Sequence, residues 1–196
     1  MPRTKLTDEQ KDMVRALPER EKDKLLLRLV AKDELLLEQL TFKYLEHEAT
    51  ADERADELRE FFRRLCGPVK GMSPGILMMR FRQASGYLTR HVRVTKNKLG
   101  EVQLLVELFH YGLDQNLRPM RQRYRSPQRW YKLAVYLSKR LPTAMRKADK
   151  LHPDLWLEFE GQLNDLLQLI WDTPELSGEA ERQGLPRRWE PTAADD

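Results

Sequence analysis

The chain of 196 residues has one cysteine and nine glycines, and both scarcities restrict what it can be. A single cysteine, Cys66, cannot form an internal disulfide, which favours a cytoplasmic protein over a disulfide-stapled secreted one. β-Branched residues are also few, whereas the stretches between prolines are rich in Leu, Glu, Lys, Arg and Gln. Because these residues lose little conformational freedom in a helix, the composition predicts an all-α protein.

Long hydrophobic runs are missing as well. No stretch approaches the roughly 18 uncharged apolar residues that a membrane-spanning helix requires. The opening residues, MPRTKLTDEQ, contain no apolar segment of the kind that a signal peptide carries. We therefore expect a cytoplasmic protein without a membrane partner.

The short motifs of common active sites are absent too. The sequence has no phosphate loop ending in GK[ST], no GxSxG, no HExxH and no CxxC. The four histidines stand on different segments, without the spacing that metal ligands require. These absences predict a non-enzymatic protein with no catalytic residue, cofactor or metal.

Prolines and capping residues mark the helix ends. Thr7–Gln10 and Thr50–Glu53 have the pattern of capping boxes, and Ser73 and Ser126 each precede a first-turn proline. The pattern predicts a compact irregular bundle of about seven to nine helices. These helices lie at 7–17, 18–30, 33–46, 50–67, 73–98, 101–116 and 152–172, with one more that begins at 126 and kinks or breaks at Pro142.

Two short Leu-rich helices between Pro18 and Glu46 resemble the helix pairs of HEAT-type repeats in length and in their tight turn. The resemblance covers that pair only, because no repeat of fixed period continues beyond it. The expected organisation is a single all-helical domain followed by a loose polar tail in which Trp189 alone is a candidate for docking. Its parts are the domain at 1–184, an N-terminal subdomain at 1–48, the main bundle at 49–172 and the tail at 185–196.

Charge is distributed very unevenly along the chain. The net charge of +4 conceals a middle part, residues 67–150, with 18 Lys and Arg against 4 Asp and Glu, or +14. Residues 1–66 carry 14 against 16, or −2, and residues 151–196 carry 3 against 11, or −8. The stretch from Arg118 to Arg140 has no acidic residue at all, so something negative is expected to lie against it.

This basic stretch predicts a binding face for a polyanion. Trp130 and Leu137 belong to an apolar stripe, so the charges of that helix fall mainly on its other side, and Arg82 lies opposite the apolar stripe of the helix after Ser73. Interleaved tyrosines suit the stacking that holds single-stranded nucleic acid. We expect nucleic-acid backbone to bind without base reading. The predicted contacts are Arg118, Arg121, Arg123, Arg125, Arg129, Lys132, Lys139, Arg140, Tyr124 and Tyr131.

Two alternatives to a polyanion stay open. The acidic segment after Pro153, with Glu158, Glu160 and Asp165, is expected to run antiparallel to the basic helix and to cover its charges. Alternatively, the basic face meets an acidic protein surface or another copy of the chain. The protein is then a protein-interaction or self-associating scaffold module.

One polar row interrupts an otherwise apolar helix. Glu107, His110 and Asp114 follow one another by three and four residues and share one stripe. A carboxylate–histidine–carboxylate row can bind a divalent metal or move a proton. Structural pairing with an arginine such as Arg82 or Arg121 is the favoured interpretation.

Cys66 and His91 receive structural interpretations. Cys66 ends an apolar-periodic helix beside Gly67, which predicts a buried thiol rather than a nucleophile. His91, in LTRHVRVTK, lies among basic residues that disfavour its protonation.

Overall fold

A computed structural model describes residues 5–191, and all regular secondary structure in that range is helical. The all-α prediction is therefore confirmed. The chain divides into two compact units, Met1–Glu48 and Ala49–Asp196. Within the described range, no helix is both long enough and apolar enough to cross a bilayer.

The first unit consists of short helices with strong local caps. They are α1 (Asp8–Ala16), α2 (Glu19–Val30) and α3 (Glu34–Leu40), the last followed by a π-helical turn (Thr41–Leu45). The capping box at Thr7 is confirmed, because its hydroxyl accepts the Gln10 amide at 3.3 Å and the Gln10 side chain accepts the Thr7 amide at 3.0 Å. Asp33 caps α3 by accepting the Leu36 amide at 3.1 Å, as predicted.

The second unit is built around one central helix. Its helices are α4 (Ala51–Cys66), α5 (Pro74–Thr95), α6 (Lys98–Arg123), α7 (Pro127–Ala148), α8 (Glu160–Trp171) and α9 (Pro174–Arg182), with a 3-10 turn (Pro153–Glu158) before α8. α6 contacts α4, α5, α7 and α8, and α7 packs on α5 and α9. The apolar helix that the sequence predicts to be central is therefore α6.

The predicted apolar stripes form the core of this unit. Trp130 and Leu137 of α7 are fully buried, and Phe81 of α5 meets Phe109 of α6 edge to face at 4.9 Å between ring centroids. Gly112 allows this contact, because a Cβ atom there would lie 2.4 Å from the Phe81 ring. The apolar stripes predicted from helical periodicity are therefore the buried faces of these helices.

Several predicted helix ends are wrong. α5 ends at Thr95, because Lys96 adopts the left-handed conformation and Asn97 caps α6 by accepting the Gly100 amide at 2.8 Å. α6 then continues through Pro119 to Arg123, since the buried side chain of Met120 holds the last turns on the core. Most of residues 117–125, which lie between two predicted helices, are therefore helical.

Two local signals also failed. Thr50 accepts no backbone amide with its side chain, and its backbone is not extended; its hydroxyl instead accepts the Arg54 guanidinium at 3.3 Å. Pro142 does not break α7, which continues to Ala148 with Leu141 buried next to the proline. Burial of the neighbouring side chains outweighs the lost amide hydrogen bond at such a proline.

The long helix predicted at 152–172 is interrupted at Phe159. This ring is buried against Trp189, at 5.4 Å between ring centroids, and α8 begins only after it. Trp189 docks: its amide donates to Asn164 at 2.8 Å and its indole to Asp149 at 2.9 Å. The predicted tail is therefore anchored at the tryptophan for which docking was expected, and residues 192–196 lie outside the described part.

Candidate anion-binding face

α5 and α7 pack against each other, and neither contains an acidic residue. Over residues 74–95 and 127–148, the two helices carry ten Lys and Arg and no Asp or Glu. No Asp or Glu within α5 or α7 can therefore form an ion pair with these cations. The positive charge of the middle of the chain is therefore concentrated on one pair of helices.

Tyr136 connects the two helices and sets their register. Its hydroxyl lies 3.0 Å from the Ser85 hydroxyl, and the Arg82 guanidinium lies over its ring at 5.8 Å from the centroid. These contacts hold Arg82 of α5 beside the charges of α7. Sequence reasoning left Arg82 out of the contact set, although the lack of acidic residues in α5 was a signal that favoured it.

The cations of α7 line the side that faces α5. Arg129, Lys132, Tyr136 and Arg140 follow one another by three or four residues, so they share one stripe. Arg129, Lys132 and Lys139 are exposed, and their side chains form no hydrogen bond or ion pair within residues 5–191. We define the basic face as Arg82, Arg129, Lys132, Lys139 and Arg140.

Arg140 is the deepest member of the basic face. Its Nε atom is buried and has no hydrogen-bond partner. It borders a small cavity of about 20 Å³ that Thr143 and Lys147 also line, and Lys147 pairs with Glu101 at the edge of this cavity. A buried guanidinium N–H without an acceptor is destabilising, and a cavity of this size admits no group much larger than a water molecule.

The structure separates the predicted contact set into two groups. Arg118, Arg121 and Arg125 do not join the basic face but line a cleft of about 590 Å³ beside α8 and α9. The carboxylates in that cleft are Asp114, Asp172 and Glu175. Arg121 pairs with Glu175 at 3.0 Å, so this group is partly neutralised within the protein.

The predicted aromatic residues also differ in their placement. Tyr124 packs against the core, its carbonyl accepts the Trp130 indole at 2.7 Å, and Arg123 lies over its ring at 5.9 Å. Tyr131 is exposed. Of the two predicted stacking residues, therefore, Tyr131 alone presents its ring to solvent.

The acidic segment does not cover α7 as the sequence suggested. α8 packs on α6 and α9, whereas α7 packs on α5, α6 and α9. Glu158 accepts the Gln103 side chain of α6 at 3.0 Å, and Glu160 lies 3.9 Å from Arg188. The predicted antiparallel pairing is wrong because Phe159 divides the acidic segment and redirects it across α6.

Glu107 has a structural partner, but not one of the predicted arginines. Arg59 of α4 binds it with two hydrogen bonds, Nε to Oε2 at 2.7 Å and Nη2 to Oε1 at 3.1 Å. The hydrogen bond with Glu107 is the main cause that raises the pKa of Arg59. His110 and Asp114 line the same cleft of about 320 Å³ as Arg59 and Glu107. In residues 5–191, no cluster of three His, Cys, Asp or Glu is placed to hold a metal ion.

Cys66 is fully buried, as predicted, and burial raises the pKa of its thiol to about 12. A thiol with such a pKa stays protonated at neutral pH and is a poor nucleophile. Its place in the core, at the end of α4, therefore fits a structural role.

The pKa of His91 is lowered, mainly by burial and then by the charges of Arg54 and Arg59. The unfolded chain takes up a proton near the ordinary pKa of 6.5, whereas the folded chain does so only at lower pH. We therefore expect the free energy of unfolding to fall as pH drops below about 6.5, until the folded-state pKa is passed. Urea unfolding of His91→Gln over this range should show a weaker pH dependence than that of the wild-type chain.

Comparison of the chain with family models, with curated proteins and with solved structures gives no match. The function of the basic face must therefore be inferred from its own geometry and charge.

Proposed function

We propose that this is a non-enzymatic, cytoplasmic binding protein that holds nucleic-acid backbone on the basic face of α5 and α7. The observation that carries the proposal is the absence of acidic residues from these two packed helices, residues 74–95 and 127–148, together with their ten cations. Three of these cations, Arg129, Lys132 and Lys139, are exposed and have no side-chain partner within residues 5–191, so they can neutralise phosphates. The release of counterions then favours binding.

The dimensions of the face suit an extended polyanion. Arg129 and Arg140 are eleven residues apart on α7, which corresponds to roughly 16 Å at the helical rise per residue. With a rise of about 3.4 Å per nucleotide in a stacked strand, this length spans about five nucleotides. The face is therefore expected to neutralise about four phosphates.

The individual side chains suit contact with phosphates rather than with bases. Arg82 and Arg129 carry planar forks that match two phosphate oxygens, whereas Lys132 and Lys139 act as mobile point charges. Arg140 adds positive charge beside them, although its Nε atom is closed off from solvent. Tyr131, exposed on α7, offers a stacking surface that tolerates any base. Such a set binds without marked sequence preference.

Titration of the protein against a fluorescent single-stranded RNA and a DNA duplex tests the proposal. Four neutralised phosphates give a slope of about −3 for log affinity against log salt on a single strand, or about a 50-fold loss for a fourfold rise in salt. Fluorescence anisotropy at low and near-physiological salt measures this slope. Failure of both nucleic acids to bind at low salt would contradict the proposal and favour an acidic protein surface instead.

A further inference from the structure

The first unit has almost no interior of its own. Within residues 5–48 one side chain, Phe42, is buried, whereas nine large apolar side chains are exposed. In the described part of the second unit, residues 49–191, six such side chains are exposed although that part is more than three times as long. The exposed apolar side chains are spread over the whole unit and include Leu6, Met13, Leu26, Leu29, Leu37 and Leu45.

These apolar side chains form stripes rather than isolated positions. Met13 of α1 lies seven residues after Leu6 and four before Leu17, which flank the helix, and Leu26 and Leu29 lie one turn apart on α2. Leu26 and Leu29 are each more than half exposed. An amphipathic helix is stabilised mainly by burial of its apolar stripe against another surface, and the first unit by itself offers these stripes no such surface.

Other means of stabilising so short a unit are missing. A unit of fewer than about 50 residues usually needs a disulfide, a metal or association with another chain. Cys66 lies outside this unit, so no disulfide can form within it. The described residues contain no candidate metal cluster. The first unit therefore needs a surface outside itself to bury the stripes.

The charges of the unit identify the kind of surface that covers it. Residues 5–48 carry nine Lys and Arg against eleven Asp and Glu, and the two signs alternate along each helix. Ion pairs such as Lys11–Asp8, at 2.7 Å, and Arg15–Asp12, at 3.0 Å, show this mixture on α1. Anionic lipid and nucleic acid attract strongly basic helices, which these are not. A surface with both signs in similar numbers complements a second copy of itself.

From these observations we infer that the apolar stripes of α1, α2 and α3 form a dimer interface with a second copy of this chain. A standard interface takes about 800 Å² and 20–30 residues from each partner, which a unit of this size can supply. The two copies meet through the same patch, as a twofold axis requires. This inference is independent of the nucleic-acid proposal, because it uses none of the residues of the basic face.

Sedimentation equilibrium of the full chain over a range of concentrations tests the inference. We expect a dimer with a dissociation constant in the micromolar range or below. Leu26→Glu together with Leu29→Glu should weaken the dimer by at least about 100-fold, because four charges would then enter its apolar centre. Leu157→Glu is the matched control, since Leu157 is 84% exposed and lies in the other unit; it should leave the dimer unchanged.

Met13→Glu provides a second variant, on α1, that does not depend on the folding of α2. Far-UV circular dichroism of each variant checks that helical content is retained. A wild-type chain that stays monomeric at every concentration would overturn the inference, and so would a dimer that none of the three substitutions weakens.

If the chain is monomeric, thiol labelling of Leu26→Cys shows whether the stripe is covered by the rest of the same chain or is open to a different partner. Native Cys66 is fully buried and contributes little background. Slow labelling of a monomer would mean that the rest of the same chain covers the stripe. Fast labelling would mean that the stripe is open to a different partner. Either result would reject a second copy as the occupant.

Discussion

Replacement of Trp130 by alanine should lower the free energy of unfolding by about 3–5 kcal/mol, which is a large part of the stability of an ordinary domain. Trp130 is fully buried in the first turn of α7. Its indole also donates a hydrogen bond of 2.7 Å to the Tyr124 carbonyl, close to the end of α6. The substitution therefore leaves a large cavity and removes the contact that connects the two helices.

Urea unfolding followed by far-UV circular dichroism measures this effect. Trp130→Phe should retain most of the packing but lose the hydrogen bond, so its cost should be clearly smaller. Tyr131→Ala is the control at the next position, because Tyr131 is exposed; its effect should stay within about 0.5 kcal/mol. A cost below about 1 kcal/mol for Trp130→Ala would show that the start of α7 is not part of the cooperative core.

Features that depend on a few neighbouring residues were visible in the sequence. The caps at Thr7, Asp33 and Ser73 are confirmed because each needs only a side-chain oxygen and an amide two or three residues later. Trp130 and Leu137 were assigned correctly to the core, since helical periodicity fixes which residues share a face. These local rules suffice to predict the fold class.

Predictions failed where packing outweighed a local signal. A proline inside a helix costs about 3 kcal/mol, and this cost suggested a kink or break at Pro142; the helix predicted at 101–116 also stopped before Pro119. Each proline has a buried neighbour, Met120 or Leu141, whose burial contributes about 1.5–3 kcal/mol. The tertiary contacts of α6 and α7 thus offset the penalty, and no local window contains that information.

Ion pairs between distant parts of the chain were equally hidden. Arg59 and Glu107 are 48 residues apart, and Arg121 and Glu175 are 54 residues apart. Composition predicted a basic middle, but the choice of which arginines face carboxylates depends on the path of α8 and α9. That path depends on Phe159, whose burial divides the acidic segment. The sequence therefore showed which stretch of the chain is basic, but not which of its side chains share one face of the folded protein.

Charge reversal on the basic face should weaken nucleic-acid binding far more than the same change at the end of α6. Lys132→Glu with Lys139→Glu removes two exposed cations of α7 that have no partner in residues 5–191. We expect a loss of roughly 10- to 100-fold at low salt, because each charge-assisted contact contributes on the order of 1 kcal/mol or more. The slope of log affinity against log salt on single-stranded RNA should become less negative by about 1.4.

Arg118→Glu with Arg125→Glu is the matched variant, because it changes the overall charge by the same amount. Both arginines are exposed, but they share a cleft with Asp114, Asp172 and Glu175, which already offset part of their charge. A long-range effect of net charge would weaken binding equally in the two variants, whereas a phosphate track on α5 and α7 makes the first loss much larger. A larger loss in the second variant would instead place the anion at the end of α6. The comparison thus separates a located binding face from a merely basic protein.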